Sequence, residues 1–311
     1  MKKFAAVFPG QGSQSVGMLA DFMSNKVVAD TYDEASAALG YDLKAITLNG
    51  PEEELNRTEI TQPAILAASV AAYRAFKAAG GPDPAAVAGH SLGEYSALVA
   101  AGALEFSDAL RLVRLRGQAM QEAVPAGQGA MAAVLGVDDE IIVAVCQEVS
   151  AGDKSVWAAN FNSPGQVVIS GESSAVAKAS EALSAKGAKR VVPLAVSAPS
   201  HCPLMQSAAD KLREALGKIT IKDATIPLYC NATAQAQVKA TDLVQTLIAQ
   251  LIGPVRWVQS VQNMGKAGVE YLLEFGPGKV LCGLQRRIDR NMGAAAVGDE
   301  ASVAAALAAL A

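Results

Sequence analysis

Apolar runs closed by glycine or proline alternate along this chain with longer stretches of helical period. Lys3 to Phe8 is the first run, broken by Pro9-Gly10-Gln11-Gly12-Ser13-Gln14, and it predicts a strand buried on both faces. Residues 15 to 79 read as helices, with Pro51 placed to start one and Gln62-Pro63 another, until Gly80-Gly81-Pro82 ends the last. A short apolar run then ends in Gly89-His90-Ser91-Leu92-Gly93 and gives way to an Ala/Leu-rich segment, which predicts strand, sharp turn and helix. Ser107 reads as the N-cap of a further helix reaching about Ala123.

Pro125-Ala126-Gly127-Gln128-Gly129 marks a change of pattern. The chain then reads as strand (130–136), helix (138–150), strand (155–161), turn Asn162-Ser163-Pro164-Gly165, strand (166–170), helix (173–186) and strand (189–196). This βαββαβ order predicts a small ferredoxin-like unit, residues 127–196, inserted into a larger α/β unit made of 1–126 and 197–311 and forming one wall of a cleft. The loop Ser197-Ala198-Pro199-Ser200-His201-Cys202-Pro203 returns the chain to the larger unit. A helix (204–217), a strand near Ile226 to Cys230, a helix from Asp242 to Ile252 and a strand from Val269 to Phe275 follow, and Gly276-Pro277-Gly278 leads into another helix.

Composition narrows the chemistry. The 311 residues, 51% hydrophobic and 18% charged, suffice for a large core, and a net charge of −4 argues against nucleic acid as the main partner. Cys146, Cys202, Cys230 and Cys282 are scattered without CxxC spacing, which fits a reducing compartment and neither a disulfide framework nor a metal site. The apolar run after Met1-Lys2-Lys3 is too short for a signal segment, and the alanine-rich tail from Ala301 is too short to span a bilayer. A soluble, cytoplasmic protein with no membrane partner is expected.

Ser91 is the candidate nucleophile. Glycines flank it at a strand-to-helix turn, the context in which a serine hydroxyl projects above a sheet. The first N–H groups of the following helix lack intrahelical partners, so the Leu92 amide can hold charge on an attacked carbonyl oxygen. The glycine-rich loop after the first strand has no Lys-Ser/Thr, and Gly10, Gly12 and Gly17 do not fit GxGxxG. It is therefore read as offering the Gln11 amide as a second donor rather than cradling a phosphate.

The serine needs a base, and the chain has only His90 and His201. His90 adjoins Ser91 and points to the opposite face, which leaves His201. Gln250 lies in the last turn of its helix, so its main-chain carbonyl is available to fix the histidine tautomer. On the helix after Ser107, Ala109, Leu112, Val113, Ala119 and Met120 form an apolar stripe with Arg116 in its middle. A guanidinium there needs an anion, either a buried structural carboxylate or the free carboxylate of a substrate. Lys279, Arg286 and Arg290 are expected to share one face of the helix after Gly276-Pro277-Gly278, as a solvated surface or a landing site for an acidic partner.

Together these segments closely resemble the malonyl-CoA:acyl carrier protein transacylases of bacterial fatty acid synthesis. The resemblance rests on FPGQGSQ at Phe8 to Gln14, TQPA at Thr61 to Ala64, GHSLGEYSAL at Gly89 to Leu98, RGQAMQ at Arg116 to Gln121 and NFNSPGQVVISG at Asn160 to Gly171. It continues with PSH at Pro199 to His201, Gln250, PVRW at Pro254 to Trp257 and GPGKVL at Gly276 to Leu281.

The resemblance implies an α/β-hydrolase-like parallel-sheet domain interrupted by the ferredoxin-like subdomain, and a ping-pong transfer that needs no bound cofactor. In it Ser91 takes the malonyl group from the coenzyme A thioester, with His201 as base and the Gln250 carbonyl orienting it. The Gln11 and Leu92 amides hold the oxyanion, Arg116 binds the malonyl carboxylate with Gln62 nearby, and Met120, Asn160 and Asn162 contact the substrate. The thiol of the acidic, phosphopantetheinylated acyl carrier protein then accepts the group. Relatives that take malonyl often carry a bulky aromatic just before the histidine, where this chain has Ser200, as the discrete bacterial enzymes commonly do.

An esterase or thioesterase would share the elbow, but ordinary α/β-hydrolases carry the histidine close to the C-terminus, whereas here about a third of the chain follows His201. A non-catalytic acyl-binding protein would need neither a strained serine nor a reachable histidine.

Overall fold

The computed structural model describes residues 1–152, 154–196 and 198–311; Ser197, the expected point of return to the larger unit, lies outside them. The first half of the chain forms β1 (Phe4–Phe8), α1 (Lys26–Leu39), α2 (Leu43–Asn49), α3 (Glu52–Leu55), α4 (Thr58–Ala78), β2 (Ala86–Gly89), α5 (Gly93–Ala100) and α6 (Phe106–Ala123). Next come β3 (Gly129–Leu135), α7 (Asp139–Val149), β4 (Val156–Ser163), β5 (Gln166–Glu172), α8 (Ser173–Ala185) and β6 (Arg190–Pro193). The rest comprises α9 (Gln206–Leu216), β7 (Leu228–Tyr229), β8 (Ala236–Gln237), α10 (Ala240–Ile252), α11 (Trp257–Lys266), β9 (Tyr271–Phe275), α12 (Val280–Ile288), β10 (Gly293–Val297) and α13 (Glu300–Leu310).

Six strands form a sheet in the order β10-β9-β1-β2-β7-β8, parallel except for β8 against β7. Alternation along β1 divides the core: Phe4, Ala6 and Phe8 face a cluster that includes Tyr73, Phe76 and Phe275, while Ala5 and Val7 face Trp257, Val261, Met264 and Leu284. Helices therefore cover both faces, as a parallel sheet requires. The register Phe8↔Gly89 brings the ends of β1 and β2 level, so the Pro9–Gln11 loop emerges beside Ser91.

The second sheet is antiparallel, in the order β4-β5-β3-β6. Ala132 and Val134 of β3 pack with Ile142, Val145, Val176 and Leu183 of α7 and α8, whereas Met131 and Ala133 turn to the opposite face and line a cavity. The edge strand β4 is tied to the segment between α10 and α11 through Val255, whose N–H donates to Ala159 O (2.8 Å) and whose carbonyl accepts from Phe161 N (2.9 Å).

Several sequence expectations are corrected. Helix α6 begins at Phe106, with Glu105 as N-cap, because the Phe106 ring is buried under the Arg74 guanidinium; Ser107 lies inside the helix. Pro63 lies within α4 rather than at its start, six residues into a helix that Thr58 opens. Asn162 and Ser163 belong to β4, leaving Pro164-Gly165 as the turn, and β6 stops at Pro193 rather than at 196. Helix α12 ends at Ile288, since Asp289 turns extended and the Gln285 side chain takes the carbonyls of Asp289 (2.6 Å) and Met292 (2.5 Å). Arg290 therefore lies beyond the helix and Lys279 at its N-cap, so only Arg286 of the three is on the helix. Strands β8 and β10 carry no periodic signal and were not expected.

Candidate active site

The turn after β2 is built by close approach. A Cβ on Gly89 would sit 1.9 Å from the Gly93 carbonyl carbon, and one on Gly93 would sit 2.0 Å from Phe8 O. Only glycine fits at either position, and between them Ser91 is held at φ 52°, the left-handed region that side chains disfavour. Asn231 secures this conformation, its Oδ1 accepting from Ser91 N (2.7 Å) and its Nδ2 donating to Gly89 O (2.6 Å).

His201, itself at φ 61°, places Nε2 2.7 Å from Ser91 Oγ and Nδ1 2.8 Å from the main-chain oxygen of Gln250. A carbonyl can only accept, so Nδ1 carries the proton and Nε2 is left bare to take one from the serine hydroxyl. Burial, reinforced by the charge of Arg116, lowers the His201 pKa to about 3, with the Gln250 hydrogen bond opposing. The imidazole is therefore neutral in the resting site. His90 points elsewhere: its Nε2 meets Asn162 Oδ1 at 2.7 Å and its ring lies 5.7 Å from that of Trp257.

Arg116 is 2% exposed. Its Nη1 donates to Gln62 Oε1 (2.9 Å) and its Nη2 to Gln250 Oε1 (3.1 Å) and to Ser91 Oγ (3.2 Å), while Nε has no hydrogen-bond partner among the described residues. Among the described residues no carboxylate pairs with it directly, so the buried structural ion pair left open by the sequence is not what holds it. The neighbouring Gly117 permits this arrangement, since a Cβ there would lie 2.7 Å from Thr58 O and push α6 off the start of α4, the helix that carries Gln62.

Ser91, His201 and Arg116 open onto a cavity of about 640 Å³ between the two sheets. Gln11, Met120, Asn160 and Asn162 line it as well. Gln62, Gln250 and Leu92 lie behind its wall; Gln62 is fully buried and its Nε2 meets Met120 Sδ at 3.6 Å, so it touches Arg116 rather than the open space. Among the described residues the N–H groups of Gln11 and Leu92 donate to no protein acceptor. Lys279, Arg286 and Arg290 are exposed and do not line the cavity, Lys279 adjoining its lining residue Val280, and none of them forms an ion pair among the described residues. No group of His, Cys, Asp or Glu side chains suited to a metal ion occurs among the described residues, and no helix is long and apolar enough to cross a membrane.

The sequence family described as acyl transferase domain matches residues 6–281. The chain belongs to that family. It is 54% identical over 308 residues to the malonyl CoA-acyl carrier protein transacylase of Escherichia coli strain K12, covering 99% of both chains. It superposes with a TM-score of 0.97 and 53% identity on the acyl-carrier-protein S-malonyltransferase of Burkholderia pseudomallei 1710b, covering 98% of this chain and 99% of that one. A malonyl-transacylase in complex with its holo type II PKS acyl-carrier protein matches equally well, with a TM-score of 0.97, 53% identity and 99% coverage of both chains.

Two residues of this acyltransferase site were not read from the sequence as site residues. Asn231 carries no local signal, because its partners lie 140 and 142 positions away. Glu94 is a carboxylate in an otherwise apolar helix, a signal as legible as that of Arg116. It is 1% exposed, accepts from Asn231 N and from Gln250 Nε2 (both 2.9 Å), and burial raises its pKa to about 7 against these hydrogen bonds and the charge of Arg116.

Proposed function

We propose that this acyltransferase moves the malonyl group from malonyl-CoA to the phosphopantetheine thiol of acyl carrier protein, through a malonyl ester on Ser91. The observation that carries this is the 3.2 Å between Arg116 Nη2 and Ser91 Oγ. In a malonyl thioester the attacked carbonyl carbon and the far carboxylate carbon are separated by one methylene, about 2.5 Å with ordinary bond lengths and angles. A guanidinium beside the nucleophile can grip that carboxylate while the serine attacks, whereas a longer diacid would overshoot it.

Ser91 Oγ adds to the thioester carbonyl as His201 Nε2 takes its proton. The Gln250 carbonyl holds the imidazolium that forms, in the position where a triad acid would stand. Oxygen charge in the tetrahedral intermediate falls to the N–H groups of Leu92 and Gln11, which have no competing protein acceptor among the described residues. His201 returns the proton to the departing coenzyme A thiolate. The carrier thiol then repeats the sequence on the ester, and free Ser91 is regenerated. No metal or bound cofactor takes part in this scheme.

The finer architecture belongs to the same proposal. We read residues 1–126 and 197–311 as an α/β-hydrolase-like domain and 127–196 as a ferredoxin-like insert, on the strand order of the two sheets. Met120, Asn160 and Asn162 are assigned to the substrate because they line the cavity. Lys279, Arg286 and Arg290 are assigned to an acidic carrier because they are exposed cations on and around α12, whose N-terminal residues line the cavity, in a chain with net charge −4. A cytoplasmic site of action agrees with four buried, unpaired cysteines.

The test is a donor comparison with carrier protein present and absent. Malonyl transfer to the carrier, faster than hydrolysis and faster than transfer from acetyl-CoA or succinyl-CoA, is expected; hydrolysis as the main outcome would refute it.

A further inference from the structure

The proposed reaction leaves one buried charged group beneath the nucleophile unused. Glu94 Oε2 accepts from two residues, and each of these holds one main-chain group of Ser91. Asn231 Oδ1 takes the Ser91 N–H at 2.7 Å, and Gln250 Nε2 donates to the Ser91 carbonyl at 2.9 Å. On its other side the Gln250 amide presents Oε1 to Arg116 Nη2 at 3.1 Å. Carboxylate and guanidinium are thus linked through a single side-chain amide.

An amide is nearly symmetric in shape but opposite in hydrogen bonding at its two ends. Turned over, Gln250 would aim its NH₂ at the guanidinium donors and its oxygen at a carboxylate and a carbonyl. The Ser91 carbonyl already takes the Glu94 main-chain N–H at 3.1 Å, so the Glu94 carboxylate oxygen, an ionic acceptor with room for a donor beside Asn231 N, adds the second and stronger demand for the NH₂ end.

We propose that Glu94 is a positioning residue for malonyl selectivity: its carboxylate oxygen selects the orientation of the Gln250 amide that presents Oε1 to Arg116, and so holds the guanidinium beside Ser91. This rests on Ser91 and Arg116 having the roles proposed for them. Protonation of Glu94 on its other oxygen leaves both Oε2 bonds intact, so a glutamine at 94 can supply the same acceptor.

The experiment measures kcat/KM for malonyl-CoA and acetyl-CoA in wild type, Glu94→Leu, Glu94→Gln and Gln250→Met, with folding checked by thermal melting. Glu94→Leu is expected to lower the malonyl-to-acetyl ratio by about tenfold or more, and Glu94→Gln to keep it within about threefold of wild type. Gln250→Met retains the main-chain carbonyl for His201 but removes the amide, so it should lower the ratio as Glu94→Leu does, and the double variant Glu94→Leu/Gln250→Met should lose no more. A wild-type ratio in folded Glu94→Leu, or a loss in Glu94→Gln as large as in Glu94→Leu, overturns the proposal. If Glu94→Leu does not fold, Gln250→Met decides: a wild-type ratio there overturns it, and a lowered ratio supports it. Failure of wild type to acquire malonyl on Ser91 would instead sink the underlying reaction, a result this comparison registers separately.

Discussion

His201 Nδ1 donates to the main-chain oxygen of Gln250 at 2.8 Å, so a peptide carbonyl stands where a carboxylate would otherwise orient the base. The bond fixes the tautomer without placing a negative charge beside the ring. Burial and the Arg116 charge then act unopposed by any nearby anion on the imidazole, and its pKa falls to about 3.

A pH profile follows from this. With His201 already neutral, kcat/KM for malonyl transfer should show no acid limb near the ordinary imidazole value of about 6.5, and protonation of the base should lower it only below about pH 4. Stopped-flow acylation across that range checks it; an inflection at about 6.5 would mean that the base is far more solvated than its surroundings indicate.

Arg116→Ala should cost malonyl transfer on the order of 3–5 kcal/mol while raising activity toward acetyl-CoA relative to malonyl-CoA. Steady-state kinetics with both donors checks it. A preserved malonyl preference would remove the guanidinium from substrate recognition.

The buried carboxyl of Glu94 gives a stability prediction whose sign is fixed. Its folded pKa, about 7, lies above the ordinary glutamate value of 4.5, so the native state binds the proton more tightly than the unfolded chain does. The linked stability is complete below the unfolded value and is lost as pH rises through the folded one. Glu94→Gln does not titrate. Its Tm relative to wild type should therefore climb between about pH 5 and pH 8, by the equivalent of about 1–3 kcal/mol. Melting curves that shift in parallel across this range would contradict the raised pKa.

Reversing the charges of Lys279, Arg286 and Arg290 should raise KM for the carrier protein, with a steeper effect at low salt, and leave KM for malonyl-CoA unchanged. Equal effects on both substrates would place the carrier elsewhere.

What the sequence disclosed of this molecule was local or counted. The elbow is legible because close approach demands glycine at Gly89 and Gly93, and Arg116 because a charge in the middle of an apolar stripe breaks the helical period. His201 is legible by inventory, since only two histidines exist. The order of the second sheet's elements also came through, each strand being bounded by turn residues. The His201–Ser91 pair and the Gln250 carbonyl on His201 came through by inventory and helix-end position, whereas the side-chain contacts of Asn231 and of the Gln250 amide did not. Asn231 and Gln250 reach the elbow from 140 and 159 residues away, and no periodicity records such a pairing. Strand β10, Gly293–Val297, escaped because three consecutive alanines carry neither a two-residue nor a helical alternation, and Arg290 was misplaced because a side-chain amide, Gln285, ends α12 in place of a glycine.

The central claim is that one serine carries the malonyl group, and intact-mass analysis of the protein after brief exposure to malonyl-CoA tests it most directly. Wild type should gain the mass of a single malonyl group, lost again when holo carrier protein is added, and Ser91→Ala should gain nothing. A malonyl adduct on Ser91→Ala, or no adduct on a folded wild type that still transfers malonyl, would contradict it.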